Sequence, residues 1–169
     1  MMTAEPTPDS TDDKPRWRPQ DDPDGLSRED VSPRDLPLHY MLSTTVGFDD
    51  DKEGSFGITM SLGGQVVSGM VISRKAWLES MQQLVRDEAG ADSLADGLGM
   101  VGDTIATITA ENKARREALD LPPTTRQFIH LRDARVYLPG GDNLDVKLWR
   151  ADLRHLTGWT LGSHNRKGE

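Results

Sequence analysis

The sequence predicts a mainly β protein with inserted helices, an α+β class, on three observations. Residues 56–62 (Phe-Gly-Ile-Thr-Met-Ser-Leu) alternate apolar with small or polar side chains, the period of a half-buried strand. Gly63-Gly64 then supplies a tight turn, and residues 65–72 return as a second strand, apolar on both faces. Three more strand-like runs follow at 127–138, 145–152 and 156–162, after a helix-patterned stretch over about 74–119. Five short strands behind a short leading helix fit a small, strongly bent five-stranded barrel of the Sm-like or SH3-like kind. The helices would then form an insertion between strands 2 and 3. A plain α+β sheet with helices on one face is the alternative.

The elements follow in order. Asp35 can cap a helix over about 36–44, where Pro37 suits the first turn and Leu38, Met41 and Leu42 recur at three and four. Asp49 to Glu53 is expected to be an exposed loop. Gly69, in mid-strand, predicts a bend or bulge. Ser73 can cap the helix beginning at Arg74, whose apolar face is Trp77, Leu78, Met81, Leu84 and Val85, and Gly90 is its stop. Leu94, Leu98, Val101, Ile105 and Ile108 step by four and three, a seam expected to pack on the first helix or the sheet, with self-association as the alternative. The strand over 127–138 is expected to bend near Arg132-Asp133. In the next strand Val146, Leu148 and Arg150 fall on one face.

Charge divides the chain. Residues 1–53 hold fourteen Asp/Glu against six Lys/Arg, and the remaining residues hold fourteen of each, for a formal net charge of -8. Seven of the ten prolines precede Leu38. Residues 1–35 therefore read as a solvated, acidic, Pro-rich arm, residues 36–163 as one compact domain, and 164–169 as a polar stub. In the arm Trp17 stands between two arginines, either solvated or an anchor for a partner. There is no cysteine, no apolar run of membrane-spanning length and no apolar segment after the Met-Met-Thr start, so a soluble cytoplasmic protein is expected.

No enzymatic constellation is visible. His39, His130, His155 and His164 lie nowhere three or four residues apart, so no local metal pair exists; His130 and His155 are the two that could meet across strands. The Gly63-Gly64 pair joins two strands rather than a strand and a helix, unlike a phosphate cradle. Neither cofactor nor catalytic residue is expected. An Sm-like single-stranded RNA-binding module is the second reading, with Arg132, Arg135, Arg150 and Arg154 for charge and Trp149 or Trp159 for stacking. A neutral body beside an acidic arm argues against nucleic acid.

Several segments resemble the gas vesicle accessory protein U (GvpU) family. The hairpin over 57–73, with Ser68 and Gly69, is similar to the family's first hairpin, and Trp77 takes the place of its helix-borne aromatic. Phe128-Ile129-His130-Leu131, followed by Tyr137, resembles its Phe-Ile-His-Leu segment. Trp149-Arg150 resembles the next strand, and Gly158 to Gly162 the closing Gly-x-x-Leu-Gly. The resemblance implies a non-catalytic accessory protein that modifies vesicle assembly, stability or clustering. Its implied partners are gas vesicle proteins or other accessory proteins, with a homo-oligomer as a further option.

Overall fold

A computed structural model describes residues 16–163. The expectations for residues 1–15 of the arm, for the stub and for His164 lie outside the described residues. In chain order come helices α1 (Arg28–Val31) and α2 (Leu36–Val46), strands β1 (Phe56–Leu62) and β2 (Gln65–Ile72), helices α3 (Arg74–Ala89) and α4 (Asp92–Ala118), and strands β3 (Phe128–Tyr137), β4 (Asn143–Asp152) and β5 (Leu156–Leu161). The strands form one antiparallel sheet in the order β4-β3-β2-β1-β5. The α+β class and the helices between β2 and β3 follow the sequence reading. The sheet is not closed into a barrel: β4 and β5 are its two edges.

It is nevertheless curled. A flat sheet would hold β4 and β5 about 19 Å apart across four strand spacings. The link from Asp152 to Leu156 is a single 3-10 turn, Leu153–His155, and four residues reach at most about 14 Å. The edges must therefore approach each other.

A bulge keeps one face of β3 apolar along its whole length. Arg132 pairs with Met70 and Arg135 with Ser68, leaving Asp133 and Ala134 opposite Gly69. Asp133 takes φ 49, and the extra residue shifts the alternation so that Ile129, Leu131, Ala134 and Val136 are all buried. Gly69 suits the site, since a Cβ would lie 3.2 Å from Ala134 Cα and from the Arg132 carbonyl oxygen, a tight contact that β3 would have to yield to. The same shift runs into β4. Val146 packs on the core as expected, but Trp149 and Ala151 join it in place of Leu148 and Arg150.

Helix α2 covers the core. Asp35 caps it, accepting from the Leu38 amide at 2.9 Å. Its Leu38, Leu42 and Val46 meet Ile58 and Met60 of β1, Val67 and Val71 of β2, and the inner face of β3. Each such side chain contributes about 1.5–3 kcal/mol by leaving water.

Helix α3 begins at the Ser73 cap and stops at Gly90 in the left-handed conformation, as its sequence predicts. The seam of α4 is otherwise. Ala95 is buried and two glycines face α3, Gly102 beside Leu78 and Gly99 beside Gln82, while Leu94, Val101 and Ile108 are exposed. Glycines let the two backbones approach closely, so the small side of α4 wins the contact and the large side turns outward.

The solvated-arm expectation fails for residues 16–35, which dock on the body as a strap. The Arg116 guanidinium grips Asp22 at 2.8 and 3.1 Å, donates to Asp24 at 2.7 Å and sends its Nε–H to the Pro122 carbonyl at 2.9 Å. Both side chains of the Arg116–Asp22 pair are buried. Trp17 packs within the chain and donates to Asp22 at 2.9 Å. Further along, the Thr125 amide donates to the Asp30 carbonyl at 2.7 Å, Arg34 to the Arg154 carbonyl at 2.8 Å, and Trp159 Nε1 to Asp35 at 2.7 Å. A net-charge count does not register these pairings because the partners lie far away in sequence.

Acid pH should loosen this arrangement. Hydrogen bonds from Arg116 hold the Asp22 carboxyl well below its ordinary 3.8. Ser27 does the same for Asp30, Arg135 for Asp145 and Arg154 for Asp152. Folded pKa values below unfolded ones mean that the unfolded chain binds protons first as pH falls. The carboxylate contribution is thus complete above about pH 5 and lost progressively below it. Urea midpoints measured from pH 7 to pH 2 should fall steeply only in that acid range, and D22N should flatten the fall. An equal fall in both proteins would contradict the assignment.

Candidate functional site

The motif residues do not converge on one point. Ser68 is buried, with its Oγ 3.0 Å from Thr59 Oγ1, and Gly69 sits at the bulge. Tyr137 is half-buried at the far end of β3, between Val66 and Asn143. Phe128 lies beneath the Arg150 guanidinium, 3.6 Å from its ring centroid. Gly158 is exposed on β5. Gly162, at φ 98, closes the end of β5: its amide donates to the Gly57 carbonyl at 2.8 Å and its carbonyl accepts from Thr59 Oγ1 at 2.9 Å. These are scattered framework positions.

Trp77 and His130 do meet, with ring centroids 5.4 Å apart. Beside them sequence reasoning missed Asp50, assigned to an exposed loop but in fact buried. Its backbone turns at φ 61, which aims the carboxylate inward, 3.4 Å from His130 Nδ1 and ion-paired with Arg126. Arg126 also donates to the Gly47 carbonyl at 2.6 Å. Burial would raise the Asp50 carboxyl, but His130 and Arg126 outweigh it and hold the group below the usual range. The cluster locks the 47–53 loop between α2 and the sheet. His155 does not join it, since His130 pairs opposite Ile72 whereas the His155 carbonyl accepts from Gly63 at the other end of the hairpin. Among the described residues no group of His, Cys, Asp and Glu could hold a metal ion.

Most of the side chains weighed for nucleic acid are engaged, while Arg132 is exposed. Arg135 is bidentate to Asp145 at 2.6 and 3.0 Å, Arg154 pairs with Asp152 at 2.6 Å, and Arg150 lies over Phe128. Trp149 and Trp159 pack against the core. The groove between α3, α4 and the 49–51 loop, about 690 Å³, carries Asp49, Asp50, Asp51, Glu79, Asp103 and Glu117 against three cations, a poor match to phosphates. The cavity beneath the strap, floored by Leu38, Leu42, Leu153, Leu156 and Trp159, measures about 180 Å³. That is below the about 300–1,000 Å³ of most small-molecule sites.

A surface of another kind lies on α2. Leu36, Tyr40 and Thr44 follow at intervals of four along α2, opposite the face that enters the core, and Phe48 lies in the turn just beyond Gly47. Leu36 is 52% exposed, Tyr40 56% and Phe48 71%. An outward row of large apolar side chains suits contact with another macromolecule.

The molecule is thus a curled antiparallel sheet, crossed by one helix, flanked by a helical hairpin and presenting an apolar row to solvent. The family model described as "Gas vesicle protein GvpU-like" matches residues 39–164, so the chain belongs to that family and is a gas-vesicle-related protein. No curated protein and no solved structure matches it. No helix among the described residues is long and apolar enough to cross a membrane.

Proposed function

We propose that the protein is a non-catalytic accessory protein of gas vesicles, acting in the cytoplasm on vesicle assembly, stability or clustering through protein–protein contacts. The observation that carries this reading is the family match, which spans the entire sheet, the helical hairpin and most of α2. The partners are gas vesicle proteins or other accessory proteins, and the outward row of α2 is the contact surface. Tyr40 and Phe48 both fall inside the matched span. The polar cluster around Asp50 then has a structural task, since it fixes the loop that carries the chain from Phe48 to β1.

The test is deletion of the gene in a vesicle-forming host, followed by electron microscopy and collapse-pressure measurement. Vesicle number, clustering or collapse pressure should change. The wild-type gene should restore them, and a Tyr40→Ala/Phe48→Ala gene should not. Because both side chains are exposed, the double variant should retain stability to within about 1 kcal/mol. Indistinguishable vesicles with and without the gene would overturn the reading.

A further inference from the structure

We propose that the cavity beneath the strap is a binding site for a short-chain monocarboxylate, an acid of about four to six carbons. The inference does not depend on the accessory role. The cavity joins an apolar floor of Leu38, Leu42, Leu153, Leu156 and Trp159 to two hydrogen-bond donors that lack acceptors. Those donors are the Thr125 hydroxyl and the Arg126 Nε–H. Both side chains line the cavity, and both atoms are buried without a partner among the described residues. The Arg126 side chain is only 8% exposed. Its other nitrogens are taken by the ion pair with Asp50 and by the Gly47 carbonyl, so Nε–H alone is left over. Buried donors without acceptors are rare because each is costly, and an acceptor entering here is correspondingly favoured.

The donors select the charge of the ligand. The carboxylates of the lining are already engaged: Asp35 accepts from the Leu38 amide and from Trp159 Nε1, and Glu29 accepts from Arg34. A cationic ligand would find no free carboxylate, whereas a carboxylate can accept from Thr125 and Arg126 together. The Arg126 cation acts on the cavity. His39, which also lines it, is held below its ordinary 6.5 by burial and by Arg126, and so is neutral at pH 7. The floor and the volume select the rest of the molecule. About 180 Å³, at about 30 Å³ for each water-sized group, holds about six such groups, the two oxygens and four carbons of butyrate. Pro33 and Arg34 of the strap also line the cavity, so a bound acid touches strap and body at once.

The full chain is titrated with butyrate, pentanoate and hexanoate, and with acetate, pentanamide and pentylamine as controls, while the tryptophan indole N–H resonances are followed by nuclear magnetic resonance. With the three acids the Trp159 signal should move saturably, and those of Trp77 and Trp149 should stay in place. Acetate lacks the chain for the floor and pentylamine the carboxylate, so neither should bind, and pentanamide should bind at least about tenfold more weakly than pentanoate. Thr125→Val removes only the unpartnered hydroxyl, so it should weaken pentanoate binding about tenfold with Tm unchanged. Saturating pentanoate should also slow tryptic cleavage after Arg28, because it fastens the strap. No saturable shift with pentanoate, an equal response to acetate or pentylamine, or a Thr125→Val chain that binds as tightly as the wild type would overturn the proposal.

Discussion

Replacing Gly54 with alanine is expected to cost about 3 kcal/mol, because the new methyl has nowhere to go. A Cβ there would lie 1.9 Å from the Thr45 carbonyl oxygen and 2.7 Å from its carbonyl carbon, both backbone atoms. Thr45 is in the last turn of α2, and backbone hydrogen bonds tie the following loop to it: the Lys52 amide donates to the Val46 carbonyl at 3.0 Å and the Asp50 amide to that of Gly47 at 3.3 Å. Relief requires α2 to lift from the sheet or the 47–55 segment to move outward. The first loosens Leu42 and Val46 from the core, and the second withdraws Asp50 from Arg126 and His130. Gly158→Ala is the control, since nothing lies within 4 Å of its position and its φ is not positive. Its effect should stay within about 0.5 kcal/mol. Urea unfolding with an unchanged m-value measures both. Equal midpoints for the two variants would show that α2 does not dock as described.

The second large effect belongs to Arg116→Met. The guanidinium holds Asp22 in a bidentate grip and also binds Asp24 and the Pro122 carbonyl. Removing it leaves the Asp22 carboxylate buried without its cation, and a buried charge stripped of its partner is far worse than no pair at all. The strap must then leave the body for Asp22 to regain water. Tryptic cleavage after Arg16 and Arg28 should accelerate by an order of magnitude or more, while the sheet stays protected from hydrogen exchange. D22N combined with Arg116→Met should be cleaved more slowly than Arg116→Met alone, because the unpaired charge has gone. Cleavage at the wild-type rate would mean that the ion pair does not fasten the strap.

What the sequence made legible was local. The hairpin at Gly63-Gly64, the caps at Asp35 and Ser73, the stop at Gly90 and the bend at Asp133 each depend on residues a few positions apart. The bulge itself was readable from Gly69, but not its effect on phase, which moved Trp149 inward in place of Leu148. Pairings over long separations were invisible. Arg116 and Asp22 lie 94 residues apart, and each alone reads as an ordinary surface charge. Asp50 was hidden by its neighbours: three aspartates in a row look solvated, and only the left-handed turn at the middle one separates it from the others. Exposure was the hardest property to foresee. The α2 row and the α4 seam are both apolar by sequence, and only the packed structure shows that part of each is left without a cover.

The central claim is that this protein acts by contacting gas vesicles through the open face of α2. Flotation measures it directly: cells making vesicles are lysed gently, centrifuged at low speed, and the buoyant layer is probed for the protein. The wild type should rise with the vesicles, and Tyr40→Ala/Phe48→Ala, equally folded, should remain below. A wild-type protein left wholly in the soluble fraction, or a double variant that floats as well as the wild type, would contradict the account.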